Sequence, residues 1–206
     1  MLEPDIKRTL IVFVLCFLTW ACRPAESTGQ VDPDWLRSWN EAVEQRPKTL
    51  TSQSRIAAKR EPGTPFSIRG QVVGPSGEAL GGVMVHAYHR DEAGFDFGDR
   101  DNELTTWRLQ GWAVTDEAGW FEFATVRPGT DHLGREAAHV HFTLVSETYG
   151  RQWAPKVSLG DDPLVTDAQR QRSRDAGAFA TVVEVAESNG TQYIELKLRL
   201  RREPDF

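Results

Sequence analysis

The chain has 206 residues, enough for one domain with extensions, and its 39% hydrophobic and 26% charged residues describe a globular protein with a core. Its formal charge of −6 comes from acids and bases mixed along the chain, with no basic block of the kind that argues for nucleic-acid binding. The only cysteines are Cys16 and Cys22, so a domain built from the remaining residues has no disulfide and depends on its core.

Residues 1–21 read as an address. Lys7 and Arg8 form a positive region, and Leu10 to Leu18 form an apolar run shorter than the roughly 20 residues that span a bilayer. Thr19-Trp20-Ala21-Cys22 follows, a small residue before a cysteine, which is similar to a bacterial lipoprotein cleavage site. The expectation is a lipoprotein-type signal peptide, with Cys22 lipidated and the mature chain exported and anchored in the cell envelope. An ordinary signal peptide or an uncleaved anchor also fits, and all three put the rest outside the cytoplasm.

Residues 22–31 form a polar tether. Asp32-Pro33-Asp34 opens a helix with an aspartate cap, proline at the first position and a further acid in the first turn. Trp35, Leu36, Trp39, Ala42 and Val43 recur at helical spacing until Pro47 ends the pattern, and the apolar face is expected to pack on the domain. Residues 48–64 are polar and read as linker, so 32–64 is helix and linker, and 65–202 is the domain.

From Phe66 the pattern changes to short strands. Ser67 to Val73, Val83 to His89, Gly111 to Thr115 and Trp120 to Thr125 are strand candidates, the last with Phe121 and Phe123 on one face. Turns at Pro75-Ser76-Gly77, Asp116-Glu117-Ala118-Gly119 and Arg127-Pro128-Gly129 separate them, and a further strand begins at His139. Asp167 to Ala176 reads as a polar helix. Val182 to Ala186 and Tyr193 to Leu200 flank Ser188-Asn189-Gly190, a hairpin signal. Turn signals at this spacing predict an all-β fold, a β-sandwich with a short N-terminal helix.

His139-Val140-His141-Phe142 carries the chemistry. On a strand, residues two apart share a face, so both imidazoles project to one side, where they make half of a metal site. The alternative is one histidine in the core and the other at the surface. His86, His89 and His132 read as packing or solvated side chains, and Trp107, Trp112 and Trp120 as packing or the lining of an aromatic pocket.

Several motifs in order carry a resemblance. Pro65-Phe66-Ser67-Ile68-Arg69-Gly70, Pro75 to Val83, Thr115 to Phe123, Val126-Arg127-Pro128-Gly129, His139 to Phe142 and Gly160-Asp161-Asp162-Pro163 are similar to the intradiol ring-cleavage dioxygenases, the catechol and protocatechuate 3,4-dioxygenase-like proteins. The resemblance spans roughly residues 62 to 200. It implies a β-sandwich, a non-haem ferric iron held by two histidines and two tyrosines, and a small aromatic diol cleaved with dioxygen. The histidines carry over to His139 and His141.

The tyrosines do not carry over. The family's Asp-x-x-Gly-x-Tyr pattern falls on Asp91 to Asp96, and its Pro-Gly-x-Tyr pattern on Pro128 to Asp131, so Asp96 and Asp131 stand at both tyrosine positions. Position 136, where the family has an arginine, is Glu136, and Arg135 lies one residue earlier. Carboxylate is a good ligand for iron, manganese or zinc, and two histidines with one carboxylate form the facial arrangement of many ferrous oxygenases. The expected site is therefore His139, His141 and Asp131, with Asp96 as fourth ligand or base, around ferric iron, ferrous iron or another divalent metal, with Arg135 stabilising negative charge on the diol. Against this, Asp96 and Asp131 also suit turns, and Arg135 suits a surface. The functional expectation is an intradiol-type aromatic ring-cleavage dioxygenase, with a non-catalytic binding module as the rival.

Overall fold

The computed structural model describes residues 31–97 and 105–206. The expected leader, the expected lipidation site Cys22 and nearly all of the expected tether lie outside the described residues. The chain opens with α1 (Pro33–Glu44), where the Asp32 carboxylate accepts from the Asp34 N–H at 2.9 Å and proline stands in the first turn.

Two sheets follow. The first contains β1 (Gln53–Arg55), β2 (Pro65–Val73), β5 (Trp120–Val126), β10 (Ala186–Ser188) and β11 (Thr191–Arg199), in the order β1-β5-β2-β11-β10. The second contains β3 (Met84–His89), β4 (Leu109–Val114), β6 (His139–Ser146), β8 (Val157–Leu159) and β9 (Val182–Val183), in the order β4-β3-β6-β8-β9. Strand β7 (Gly150–Trp153) pairs with β6, and α2 (Asp167–Asp175) is capped by Thr166 and Gln169.

The β-sandwich with a short N-terminal helix is the expected architecture, and most strands lie within two residues of their sequence patterns. Three details differ. Residues 48–64 contain β1, which runs parallel to β5 and leads into the buried Ile56 and Ala57. A three-residue edge strand is too short to display an alternation. Strands β7, of four residues, and β8, of three, are likewise too short to show a period. The stretch from Val182 to Ala186 is split, with β9 pairing to β8 in one sheet and β10 to β11 in the other. The hairpin itself forms as expected, with Asn189 and Gly190 at φ of 51° and 74°, the left-handed pair that a two-residue turn needs.

The main core lies between the sheets, where Phe66, Ile68, Phe121, Phe123 and Ile194 meet Val85, Val140, Phe142 and Leu144. Each of the larger side chains contributes roughly 1.5–3 kcal/mol by leaving water. A second apolar cluster covers the outer face of the β3–β4 side. Here Trp39 packs edge-on against His86 at 5.4 Å and near Trp112 at 5.3 Å, and Trp35 Nε1 donates to the Tyr88 hydroxyl at 3.3 Å. Helix α1 therefore docks on the domain, as its apolar spacing implied. Trp107 and Trp112 belong to this packing, and Trp120 lies on the other sheet under the Arg69 guanidinium, 4.2 Å from its ring.

Candidate active site

The alternation of β6 builds the first half of the site. Val140, Phe142 and Leu144 enter the core, which turns His139 and His141 to the opposite face. His139 Nδ1 lies 2.6 Å from the Ala137 carbonyl. A carbonyl only accepts, so Nδ1 carries the proton and Nε2 is left with its lone pair. That Nε2 lies 2.9 Å from His141 Nε2. Two nitrogens each about 2.0–2.1 Å from one ion, at a right angle, would stand roughly 2.9 Å apart.

Burial is the main reason that both imidazoles are neutral. It lowers His139, aided by the Lys156 and Arg90 charges and opposed by the Ala137 bond, and it pushes His141 down to about 3, with His139, Lys156 and Arg90 adding to the effect. Tyr88, opposite His141 on β3, stacks on its ring at 4.6 Å and 10°, and on Trp107 at 3.9 Å and 18°. Burial pushes the Tyr88 hydroxyl up to about 12, so it is a neutral phenol whose oxygen accepts from Trp35 Nε1.

Two interlocked loops build the second half. The loop after β3 carries Asp96, and the loop after β5 carries Asp131. The Gly129 N–H donates to the Asp91 carbonyl at 3.0 Å, and the His132 N–H to the Gly94 carbonyl at 3.3 Å. Gly94 has φ of +88°, and a Cβ there would sit 2.2 Å from the Thr130 carbonyl oxygen. A Cβ on Gly129 would sit 2.4 Å from the Asp91 carbonyl oxygen. No other residue permits this approach, so the two glycines fix how the loops meet.

Both aspartates converge on Arg90, which follows β3. Its Nε donates to Asp96 Oδ2 at 3.2 Å and its Nη2 to Glu136 Oε2 at 3.0 Å, and Nη2 pairs with Asp131 Oδ2 at 3.7 Å. The guanidinium is only 13% exposed. Its proton is held more tightly than usual because the Glu136 hydrogen bond and the three carboxylate charges outweigh the cost of burial. Its Nη1 is buried with no hydrogen-bond partner. Lys156 Nζ meets the other Glu136 oxygen at 2.7 Å, and this bond, with that of Arg90, pulls Glu136 down to about 2 against partial burial. Burial opposes ionisation of Asp131, but the Arg135 and Leu133 backbone N–H groups and Arg90 hold it below the usual carboxylate range.

The structure thus brings His139 and His141 together, and gathers Asp96 and Asp131 around a guanidinium. Asp131 Oδ1 also closes a turn, accepting from the Leu133 and Arg135 N–H groups at 3.0 and 3.2 Å. The Arg135 side chain is exposed and touches the site through its backbone alone. Among the described residues, no group of three or more histidine, cysteine, aspartate or glutamate side chains is placed to hold a metal.

Sequence reasoning gave no role to Arg90, Lys156 or Asp162. Arg90 had a readable signal, because an acid at position 136 calls for a nearby base. Asp162 had none beyond its loop motif: its Oδ2 accepts from the Ala138 N–H at 2.8 Å and from Thr130 Oγ1 at 2.7 Å, tying the start of β6 to the Asp131 loop. The remaining histidines pack, as expected. His89 bridges the sheets through Thr125 Oγ1 at 2.8 Å, His86 bonds Gln110 Oε1 at 2.8 Å, and His132 stacks on Phe95 at 4.5 Å.

Comparison with known proteins matches residues 40–202 to a family described as dioxygenase. The catechol 1,2-dioxygenase 1 of Acinetobacter lwoffii is 27% identical over 159 residues, which cover 69% of this chain and 50% of that protein. The chain therefore spans half the length of that curated relative. Among solved structures, catechol 1,2-dioxygenase from Acinetobacter sp. ADP1 has a TM-score of 0.55 at 18% identity, covering 82% of this chain and 68% of that one. The 3-chlorocatechol 1,2-dioxygenase of Rhodococcus opacus 1CP has a TM-score of 0.55 at 18% identity, covering 79% and 77%. A dioxygenase domain fused to a carbohydrate-binding protein in Streptomyces sp. SirexAA-E has a TM-score of 0.54 at 18% identity, covering 75% and 90%. At these identities the structures speak for the fold.

Proposed function

The chain belongs to the intradiol ring-cleavage dioxygenase family, and from that premise we propose that it is an exported oxygenase that cleaves a catechol-type aromatic diol with dioxygen. The observation that carries the reading is the His139–His141 pair. It stands at the family's histidine motif, neutral, with Nε2 atoms 2.9 Å apart.

The family implies non-haem iron, and the residues present fit it in part. The imidazole pair has the spacing of two nitrogen ligands to one ion, and the Ala137 carbonyl orients the first of them. The carboxylates do not complete the set, because Arg90 holds them. The buried polar atom without a partner at their side is moreover a donor, Arg90 Nη1, which calls for an acceptor oxygen and not for a cation. The donor set does not fit a fully liganded iron.

The chain's own residues do three things for a bound diol. With His139 Nδ1 protonated, His141 Nε2 donates to the His139 Nε2 lone pair, and a metal or a diol O–H would take that lone pair over. Arg90 offers a guanidinium that is charged at any pH of interest, with one donor to spare, and so favours the ionised diol. The stacked rings of Tyr88 and Trp107 wall the site next to His141 and exclude water there. The address in residues 1–22 supports export and a lipid anchor at Cys22, and a Cys22→Ser variant is expected to leave the membrane fraction.

Oxygen consumption with a panel of catechols, after incubation with iron or manganese, tests the activity. Uptake that His139→Ala abolishes is the expected result. No uptake with any diol, or uptake that survives His139→Ala, would overturn the reading.

A further inference from the structure

We propose that Arg90 takes a metal's place among the carboxylates of this site, so that Asp96, Asp131 and Glu136 are partners of a guanidinium and do not ligate a metal. The inference rests on the family reading for which positions are ligand positions, and on the structure for everything else.

Both oxygens of Asp131 and of Glu136, and one of Asp96, are already in use. Arg90 lies 3.2, 3.7 and 3.0 Å from Asp96, Asp131 and Glu136, and the second Asp131 oxygen holds two backbone N–H groups. An ion that recruited Asp131 would have to break the turn, the ion pair, or both.

The charges are nearly balanced without an ion. Arg90 and Lys156 stand against three carboxylates, which leaves one net negative charge for the group. A divalent cation added beside an intact guanidinium would face like-charge repulsion in a partly desolvated site. An arginine also never steps aside by losing its proton, unlike a lysine or a histidine, so the metal would have to displace the whole side chain.

The position of the guanidinium is itself built in. The Arg90 backbone is anchored by His89 Nδ1, which donates to its carbonyl at 2.7 Å. The loops that present Asp96 and Asp131 cannot slide, because Gly94 and Gly129 seat each loop against the backbone of the other. At the position of the family's arginine, Glu136 now faces a guanidinium delivered from β3.

Two arms of a metal-binding experiment on the full chain test this, with zinc as the probe after chelator treatment and equilibrium dialysis as the readout. In the wild-type background, Asp96→Asn and Asp131→Asn are expected to leave zinc affinity within about threefold. A loss of tenfold or more in either would show a ligating aspartate and overturn the proposal. In the second arm, Arg90→Met, checked for cooperative unfolding, frees the carboxylates beside the imidazole pair. It is expected to raise zinc affinity at least tenfold, and adding Asp131→Asn is expected to remove the gain. A folded Arg90→Met protein with unchanged affinity would overturn the proposal. If that variant fails to fold, the wild-type arm decides alone. Zinc binding needs no turnover, so a failed oxygen-uptake experiment would sink the oxygenase reading and leave this inference standing.

Discussion

The two halves of the site are held in different ways. His139 and His141 ride on a central strand of a sheet, with Val140 and Phe142 locked into the core between and beyond them. Asp96 and Asp131 ride on loops; Arg90 pairs with both, and the Leu133 and Arg135 N–H groups also hold Asp131. A strand fixes direction by its own pleat, whereas a loop takes its direction from whatever it touches. Asp96 and Asp131 are thus partners of a guanidinium, and the two loops that carry them meet at that ion pair.

The largest effect is expected where the imidazole half meets the core. Phe142→Ala removes a buried ring directly after His141 and should cost about 3–5 kcal/mol in denaturant unfolding. Loss of stability without displacement of the histidine NMR signals would break the link between core and site.

Burial of imidazoles gives the next effect. His86 and His89 are neutral down to about pH 4, chiefly because burial disfavours the cation, while an unfolded histidine protonates near 6.5. Between those values the unfolded chain binds more protons, so stability is fully present above about pH 6.5 and falls as pH drops toward 4, by on the order of 3 kcal/mol per residue. The carboxylate half responds lower on the scale. Glu136, pulled down to about 2, stabilises the fold above its ordinary range near 4.5 and loses that contribution as pH falls toward 2. Thermal unfolding from pH 8 to pH 3 checks both; a flat profile between 6.5 and 4 would contradict the buried neutral histidines.

Arg90→Met should cost about 2–3 kcal/mol by leaving three carboxylates together, somewhat below the roughly 3–5 kcal/mol of breaking a fully buried pair. A cost of half a kcal/mol or less would mean that the loops are aimed by something else. The smallest effect belongs to Arg135→Ala, expected within about 0.5 kcal/mol of the wild type and without influence on oxygen uptake, since its side chain is exposed.

The contrast also explains what could be read from the chain alone. The histidine pair, the strands around it and the Asn189-Gly190 hairpin follow from period and turn chemistry, which are local. The positions of Asp96 and Asp131 were legible through the glycine-anchored loop motifs, but their direction was not, because it depends on Arg90 from another element. Arg135 was the natural candidate by distance along the chain, and the guanidinium arrives instead by distance through space. Strand β1 escaped notice because three residues of an edge strand carry no usable period. Asp162 escaped because a loop aspartate advertises neither of the bonds it makes to Ala138 and Thr130.

X-ray absorption on the zinc- or iron-loaded wild-type protein counts the imidazoles around the ion directly. The expected spectrum shows the outer-shell ring scattering of two imidazoles, with oxygen donors completing the first sphere, and that of one imidazole in His141→Ala. A metal shell without imidazole, or one unchanged by that substitution, would contradict the placing of His139 and His141 at the centre of this site.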